Sequence, residues 1–286
     1  MRRLFAALLL ALLAACHQPK PLPAKPALWS VTGPQGEQAW LFGTIHALRQ
    51  PYDWQTPQFS AALGRADQIV VEVAGLGDST VIAAAFERLA RTPGQPELSA
   101  RIDPAQRGAL NQLIQRSGVN PASFGAVETW AVALTLARAA NPDQDTALGI
   151  DRAILQLAGK RPVVELEGAE PQLRIFDALP EADQRDLLRL TIAEAAAPDR
   201  PDNLAQAWAR GDMALIERET QRGLLADPEL RAALLVNRNR AWADRIAVLL
   251  GHRSKPLVAV GAAHMAGADG LPALLKGKGY TVTRLQ

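Results

Sequence analysis

Two apolar runs, one near each end of the chain, stop at the same four-residue pattern. "WLFGTIH" carries Trp40, Leu41 and Phe42 into Gly43 and His46, and "LVAVGAAH" carries Leu257 to Val260 into Gly261 and His264. Each run reads as a buried strand. Residues just past such a strand are where ligands and catalytic groups collect, because a rigid sheet holds them beside solvent. The fold therefore has to bring strands from both chain ends into one sheet. The glycine has its own use: with no Cβ it lets the strand turn sharply or lets a ligand approach the backbone. Two core histidines bonded to backbone groups would leave the same spacing, so the pattern needs support from other residues.

The rest of the chain fits that plan. "LWSVT" and "AWLFGTI", with Gly33-Pro34-Gln35-Gly36 between them, predict a hairpin. Thr56-Pro57 predicts an N-cap and first helical residue for a short helix to about Arg65. "QIVVEVAG" and "RPVVELEG" read as further strands. Alanine-rich helical pattern fills Ser79 to Ala158 and Pro171 to Leu250, broken at "TPGQP", "SGVNP", "NPDQD" and "APDRPDN". The finish is strand, helix, strand: "PLVAVGAAH", "GLPALLKGKG", "YTVTRL". The expected architecture is α/β (α+β): a small mixed sheet built from both chain ends, with a large helical middle packed on it, in a single domain over residues 28–286.

The first fifteen residues stand outside that domain. Arg2 and Arg3, a short apolar stretch and small residues before Cys16 form an export signal. Leu13-Ala14-Ala15-Cys16 resembles a bacterial lipobox, in which the cysteine becomes the lipidated N-terminus. Residues 16–27, "CHQPKPLPAKPA", then read as a proline-rich tether from a lipid bilayer to the folded body. The expected location is the cell envelope, lipid-anchored at the outer membrane and facing the periplasm. Cys16 is the only cysteine, which leaves the exported chain without a disulfide or a cysteine metal ligand. Without Arg2 and Arg3 the 31 basic residues become 29, equal to the 29 acidic ones. No basic block is left to suggest nucleic acid.

Of four histidines, His17 lies in the tether and His252 in the polar "GHRSKP". His46 and His264 are the candidates. Glu72 adds to them: in Ile69-Val70-Val71-Glu72-Val73 it is a carboxylate inside a β-branched strand, costly when ionised unless paired or metal-bound. On an edge strand it would face solvent; on a central strand it needs a cation. In "PELRAALLVNRNRAWADRIAVLLG", Leu235, Trp242, Ile246 and Leu249 mark an apolar stripe on which Arg238 and Asn239 also fall, while Arg240 projects to the opposite side. A core-facing arginine serves to hold a carboxylate, either in a structural salt bridge or in a site where it also meets developing negative charge.

Read together, "FGTIH", "VVEV", "NRNRAW" and "VGAAH" resemble the TraB/GumN family, related to the Tiki proteases, whose shared marks are two Gly-x-x-His motifs, a glutamate after the first and an arginine before the second. "ETWAVALTL", "LGIDRAI" and "RPVVELEGAEPQL" resemble the family's interior segments. The resemblance implies a metal-dependent hydrolytic centre, with His46 and His264 on a divalent ion (Mn²⁺, Co²⁺ or Zn²⁺), Glu72 as ligand or general base, and Arg238 holding Glu72 or the oxyanion. Asp151 and Glu167 are expected around them. Asn237 departs from the pattern, where an acidic residue is expected. The implied substrate is a peptide or other small envelope molecule. Two other roles share these residues: haem or iron binding by the same histidines, and a non-catalytic part in envelope polysaccharide production. Self-association through the alanine-rich helical surface is left open.

Overall fold

The computed structural model describes residues 20–77, 79–197 and 203–286. The signal, Cys16 and His17 lie outside the described residues.

Six strands form one sheet: β1 Leu28–Thr32, β2 Gln38–Thr44, β3 Gln68–Val71, β4 Val163–Glu165, β5 Pro256–Gly261 and β6 Thr281–Arg284, in the order β4-β3-β5-β2-β1-β6. β4, β3, β5 and β2 run parallel, while β1 is antiparallel to β2 and to β6. The fold is thus the mixed α/β arrangement expected, and β5 explains its organisation. Coming from the far end of the chain, it lies between β2 and β3, with Thr44 opposite Gly261 and Val71 opposite Ala259.

The side-chain period of a strand accounts for the apolar runs. On one sheet face Trp40, Phe42, Leu257 and Ala259 pack against helices α1 (Pro57–Arg65), α5 (Ile150–Leu157) and α8 (Asn203–Arg210), through Phe59, Ile154 and Trp208. On the other face Leu41, Val258 and Val260 meet α10 (Asn237–Gly251) and α11 (Leu271–Gly277), through Trp242, Ile246 and Leu271. With both faces covered, β2 and β5 have no polar side to show. A second core lies in the helical middle, where α2 (Ser79–Leu89), α3 (Arg107–Ser117), α4 (Thr129–Ala139) and α7 (Glu181–Ala196) enclose Trp130, Leu113 and Leu188. The middle also supplies β4 to the sheet, and the other α-helices among the described residues are α6 (Ala169–Asp177), α9 (Met213–Glu219) and the single turn Pro228–Arg231.

Thr56 caps α1 as its sequence predicts, its hydroxyl accepting from the Phe59 N–H with Pro57 at the first turn. Leu22–Pro23, within the proline-rich stretch, pairs in parallel with Tyr52–Asp53, and the Lys25 N–H donates to Ala209 O. One expectation needs correcting. Glu72 is not inside its strand: β3 ends at Val71, and Glu72 is the first residue beyond it. The run "IVVEV" does not break because Val73 is also buried, beyond the strand and in the bend that follows it.

Candidate active site

The parallel strands all end on the same edge of the sheet, and chemistry-bearing side chains stand just past those ends: His46 after β2, Glu72 after β3, Glu167 after β4 and His264 after β5. This is the position at which open α/β sheets place their ligands. Asp151 joins them from the first turn of α5. The loop after β2 is tied to the start of that helix, Leu48 bridging to Asp145 and the Ile150 N–H donating to Ile45 O. Gly149 is required there, since a Cβ at this position would stand 2.2 Å from His46 O.

Glu72 is 5% exposed and lies beside a central strand, so it needs its cation. Arg238 provides it: Nη2 donates to Glu72 Oε2 at 2.9 Å, while the Gly261 N–H donates to Oε1 at 2.8 Å and Gln172 Nε2 to Oε2 at 3.2 Å. Burial alone would push this carboxyl up. His264, His46, Arg238 and the Gly261 N–H outweigh it and hold Glu72 down at about 2, ionised at neutral pH.

Arg238 is fully engaged. Nε and Nη2 donate to the two Glu167 oxygens at 2.9 and 3.0 Å, and Nη1 donates to Leu234 O at 2.9 Å and to His264 Nε2 at 3.3 Å. Together with the Glu72 bond these use the guanidinium's five N–H groups. Of the two roles expected for Arg238, holding Glu72 is therefore the one its geometry performs. It reaches inward from the apolar face it shares with Asn239, Trp242 and Ile246, on the helix that follows a π turn over Ala232–Val236. Arg240 is exposed, as its position opposite the stripe predicts.

The imidazoles are each anchored through Nδ1. Asn239 donates from Nδ2 to Asp269 O at 2.7 Å, which turns its Oδ1 to His264 Nδ1 at 2.5 Å; His264 Nδ1 is thus the protonated nitrogen and Nε2 carries the lone pair. The Trp242 ring lies 4.4 Å from the His264 ring and under the Arg238 guanidinium. His46 Nδ1 donates to Asp151 Oδ2 at 2.8 Å, and Thr44 Oγ1 holds the other oxygen of Asp151 at 2.6 Å. The two rings live in different surroundings. His264 is buried, and burial, with Arg238 and His46 adjacent, pushes it down to about 4 although Glu72 pulls upward. His46 leaves 64% of its side chain accessible, and the Asp151 charge raises it to about 9 against a smaller opposing effect of desolvation.

The motif glycines now have a physical account. A Cβ at Gly261 would lie 3.3 Å from Glu72 Oε1, 3.6 Å from His46 Nε2 and 3.7 Å from His264 Cδ2, so the three groups gather over this glycine and a side chain here would crowd Glu72 first. A Cβ at Gly43 would press at 3.2 Å on Ala262, just before His264. Each glycine thus clears space for the histidine loops.

A cleft of about 250 Å³ opens at this edge, lined by His46, Glu72, Asp151, Arg152, Thr146 and Gln172 together with Val71, Val73 and Leu76. His46, Glu72, His264, Arg238, Asp151 and Glu167, all expected from sequence, come together here. Gln172 and Thr44 had no sequence signal. Asn239 had one, since a polar residue on the apolar stripe has to meet a buried partner. Among the described residues, no three His, Cys, Asp or Glu groups stand close enough together to hold a metal ion as they are.

The TraB/PrgY/gumN family profile matches residues 27–284, strands and site included. The chain belongs to this family. It is 28% identical over 256 residues to the uncharacterized protein YbaP of Shigella flexneri, an alignment covering 86% of this chain and 90% of that one. YbaP of Escherichia coli (strain K12) matches with the same identity and coverage. No solved structure matches.

Proposed function

We propose that this TraB/PrgY/gumN protein is a metal-dependent hydrolase acting on peptide-like amide bonds in the cell envelope. The observation that carries the reading is the grouping over Gly261: His46 Nε2, Glu72 Oε1 and the edge of the His264 ring all lie within 3.7 Å of where a Cβ at Gly261 would stand, each imidazole is fixed through Nδ1, and His264 Nε2 is 4.0 Å from Glu72 Oε1. The chemistry of these donors fits a divalent ion, with His46, His264 and Glu72 as the residues that would hold it and Asp151 and Asn239 orienting the imidazoles. Such an ion supplies a polarised carbonyl and a bound water of lowered pKa. The chain's own residues do the rest: Arg238, Gln172 and the Gly261 N–H keep Glu72 ionised and in place, and Val73 and Leu76 give the cleft an apolar wall.

A second reading is favoured by the different surroundings of the two imidazoles, His46 accessible and bonded to the Asp151 carboxylate, His264 buried beside Arg238. In this reading His264 would exchange the 3.3 Å Arg238 Nη1 contact at its Nε2 for a water and take that water's proton, while protonated His46 gives one to the departing amine.

Envelope anchoring through lipidated Cys16 belongs to the same proposal. Among the described residues no helix is long and apolar enough to cross a membrane; radiolabelled palmitate should label the wild-type chain but not Cys16→Ser.

The test of function is divalent-metal content and peptide hydrolysis of the purified protein beside a His46→Ala/His264→Ala variant. The metal reading expects about one Mn²⁺, Co²⁺ or Zn²⁺ per wild-type chain, and hydrolysis that disappears with a chelator and in the variant. Equal metal content in the two proteins sinks it. Hydrolysis that survives chelation but is lost in the variant selects the acid–base reading instead.

A further inference from the structure

The charged groups lining the cleft differ in whether the protein already uses them. Glu72 is held by Arg238, Gln172 and the Gly261 N–H, and Asp151 is held by His46 and Thr44. The cation behind the site, Arg238, has no N–H to spare. Arg152 is different. It sits half-buried on the first turn of α5, next to Asp151, lines the cleft, and has no hydrogen bond or ion pair with any of the described residues.

The Arg152 guanidinium is not sealed from solvent, so water meets its donors until a ligand with an acceptor of matching geometry replaces it. Thr146, also half-buried on the cleft wall, likewise has a hydroxyl with no hydrogen-bond partner among the described residues. Beside these donors, Val71, Val73 and Leu76 line the cleft with apolar surface. Apolar surface next to an unpaired cation suits a ligand that carries both an apolar side chain and a carboxylate.

We propose that Arg152, assisted by Thr146, is a carboxylate-recognition subsite, selecting substrates with a carboxylate adjacent to the bond that the site cleaves and an apolar group against Val73 and Leu76. The binding does not depend on catalysis; only the adjacency to a cleaved bond rests on the hydrolytic reading. The carboxylate is either a free peptide C-terminus or an acidic side chain, which the same guanidinium fork would accept.

Calorimetric titration of the full chain with matched probes tests this. N-acetyl-leucine carries the apolar group and a terminal carboxylate, and N-acetyl-leucinamide is the same molecule without the charge; N-acetyl-glutamic acid α-amide and N-acetyl-glutaminamide form the side-chain pair. The charged member of at least one pair should bind about tenfold more tightly, the worth of one charge-assisted contact, and the pair that shows the preference identifies the source. Arg152→Gln should erase the preference, Arg152→Lys should keep part of it, and Thr146→Val should reduce it. Unchanged thermal melting of Arg152→Gln verifies that the loss is not unfolding. A wild-type protein without carboxylate preference, or an Arg152→Gln variant that retains it through the His46 imidazolium, overturns the proposal. If the preference depends on Arg152 yet no peptide is hydrolysed, the subsite stands and the hydrolytic reading falls.

Discussion

At the scale of single residues, two histidines of the same motif acquire opposite character from what their Nδ1 atoms meet. His46 faces a carboxylate, His264 an amide oxygen in a buried pocket beside an arginine. Followed by NMR without added metal, His46 should titrate near 9 and Asp151→Asn should bring it back toward 6.5. The sign for stability follows from its raised value: the contribution is full below about 6.5 and is lost as pH rises through about 9. With most of the ring accessible, solvent screens the pair, and its weight in stability is small. Because a metal ligand must be unprotonated, metal affinity should rise with pH over the same range. Glu72 and Arg238 form the opposite case, a pair with little exposure on either side. Arg238→Ala leaves Glu72 and Glu167 without their cation and should cost about 3–5 kcal/mol in chemical denaturation. A loss under 1 kcal/mol would mean that water reaches Glu72 after the truncation.

At the scale of elements, the site depends on how loops leave strands. The loop carrying His46 is fixed against the start of α5, where Gly149 leaves room for the His46 carbonyl. Gly149→Ala drives its Cβ into the His46 carbonyl and should destabilise by about 1–3 kcal/mol while displacing His46, seen as weaker metal binding. The helix carrying Arg238 and Asn239 follows a π turn and is tied down by Asn239 gripping Asp269 O. Asn239→Leu removes the acceptor of His264 Nδ1–H and leaves Asp269 O without its donor, at a cost of about 1–3 kcal/mol. Thermal melting measures that loss. His264 in the variant should lose its fixed tautomer, which ¹⁵N shifts of the imidazole report.

At the scale of the whole molecule, the sheet joins groups far apart in sequence into one titrating unit, and this shapes acid stability. Folded His264 titrates near 4, against an ordinary 6.5 when unfolded, so between these values the unfolded chain binds the proton that the folded one refuses. Stability should therefore fall as pH drops from about 6.5 to about 4, by on the order of 3 kcal/mol. Glu72, held near 2, extends the loss below about 4.5. Denaturation midpoints measured across this range should flatten between 4 and 6.5 in His264→Gln; an unchanged slope would show that His264 is not the group responsible.

The sequence alone determined the elements and most of the reacting groups. Unbroken apolar runs bounded by turn residues at β2 and β5 read as strands covered on both faces, and Thr56-Pro57 starts its helix through local capping that needs no tertiary partner. The scarcity of histidine, a glutamate among β-branched residues and an arginine on an apolar helix stripe marked His46, His264, Glu72 and Arg238. Only the tertiary structure decided their relations. Strand order is set by long-range pairing, which places β5 between β2 and β3 and so brings His264 to His46 and Glu72. Gln172 joins Glu72 across a hundred residues of chain, with nothing in its own surroundings to announce it. Whether Arg238 faces an oxyanion or a carboxylate likewise depends on which acceptors the fold puts around its five N–H groups, and local sequence carries no record of that.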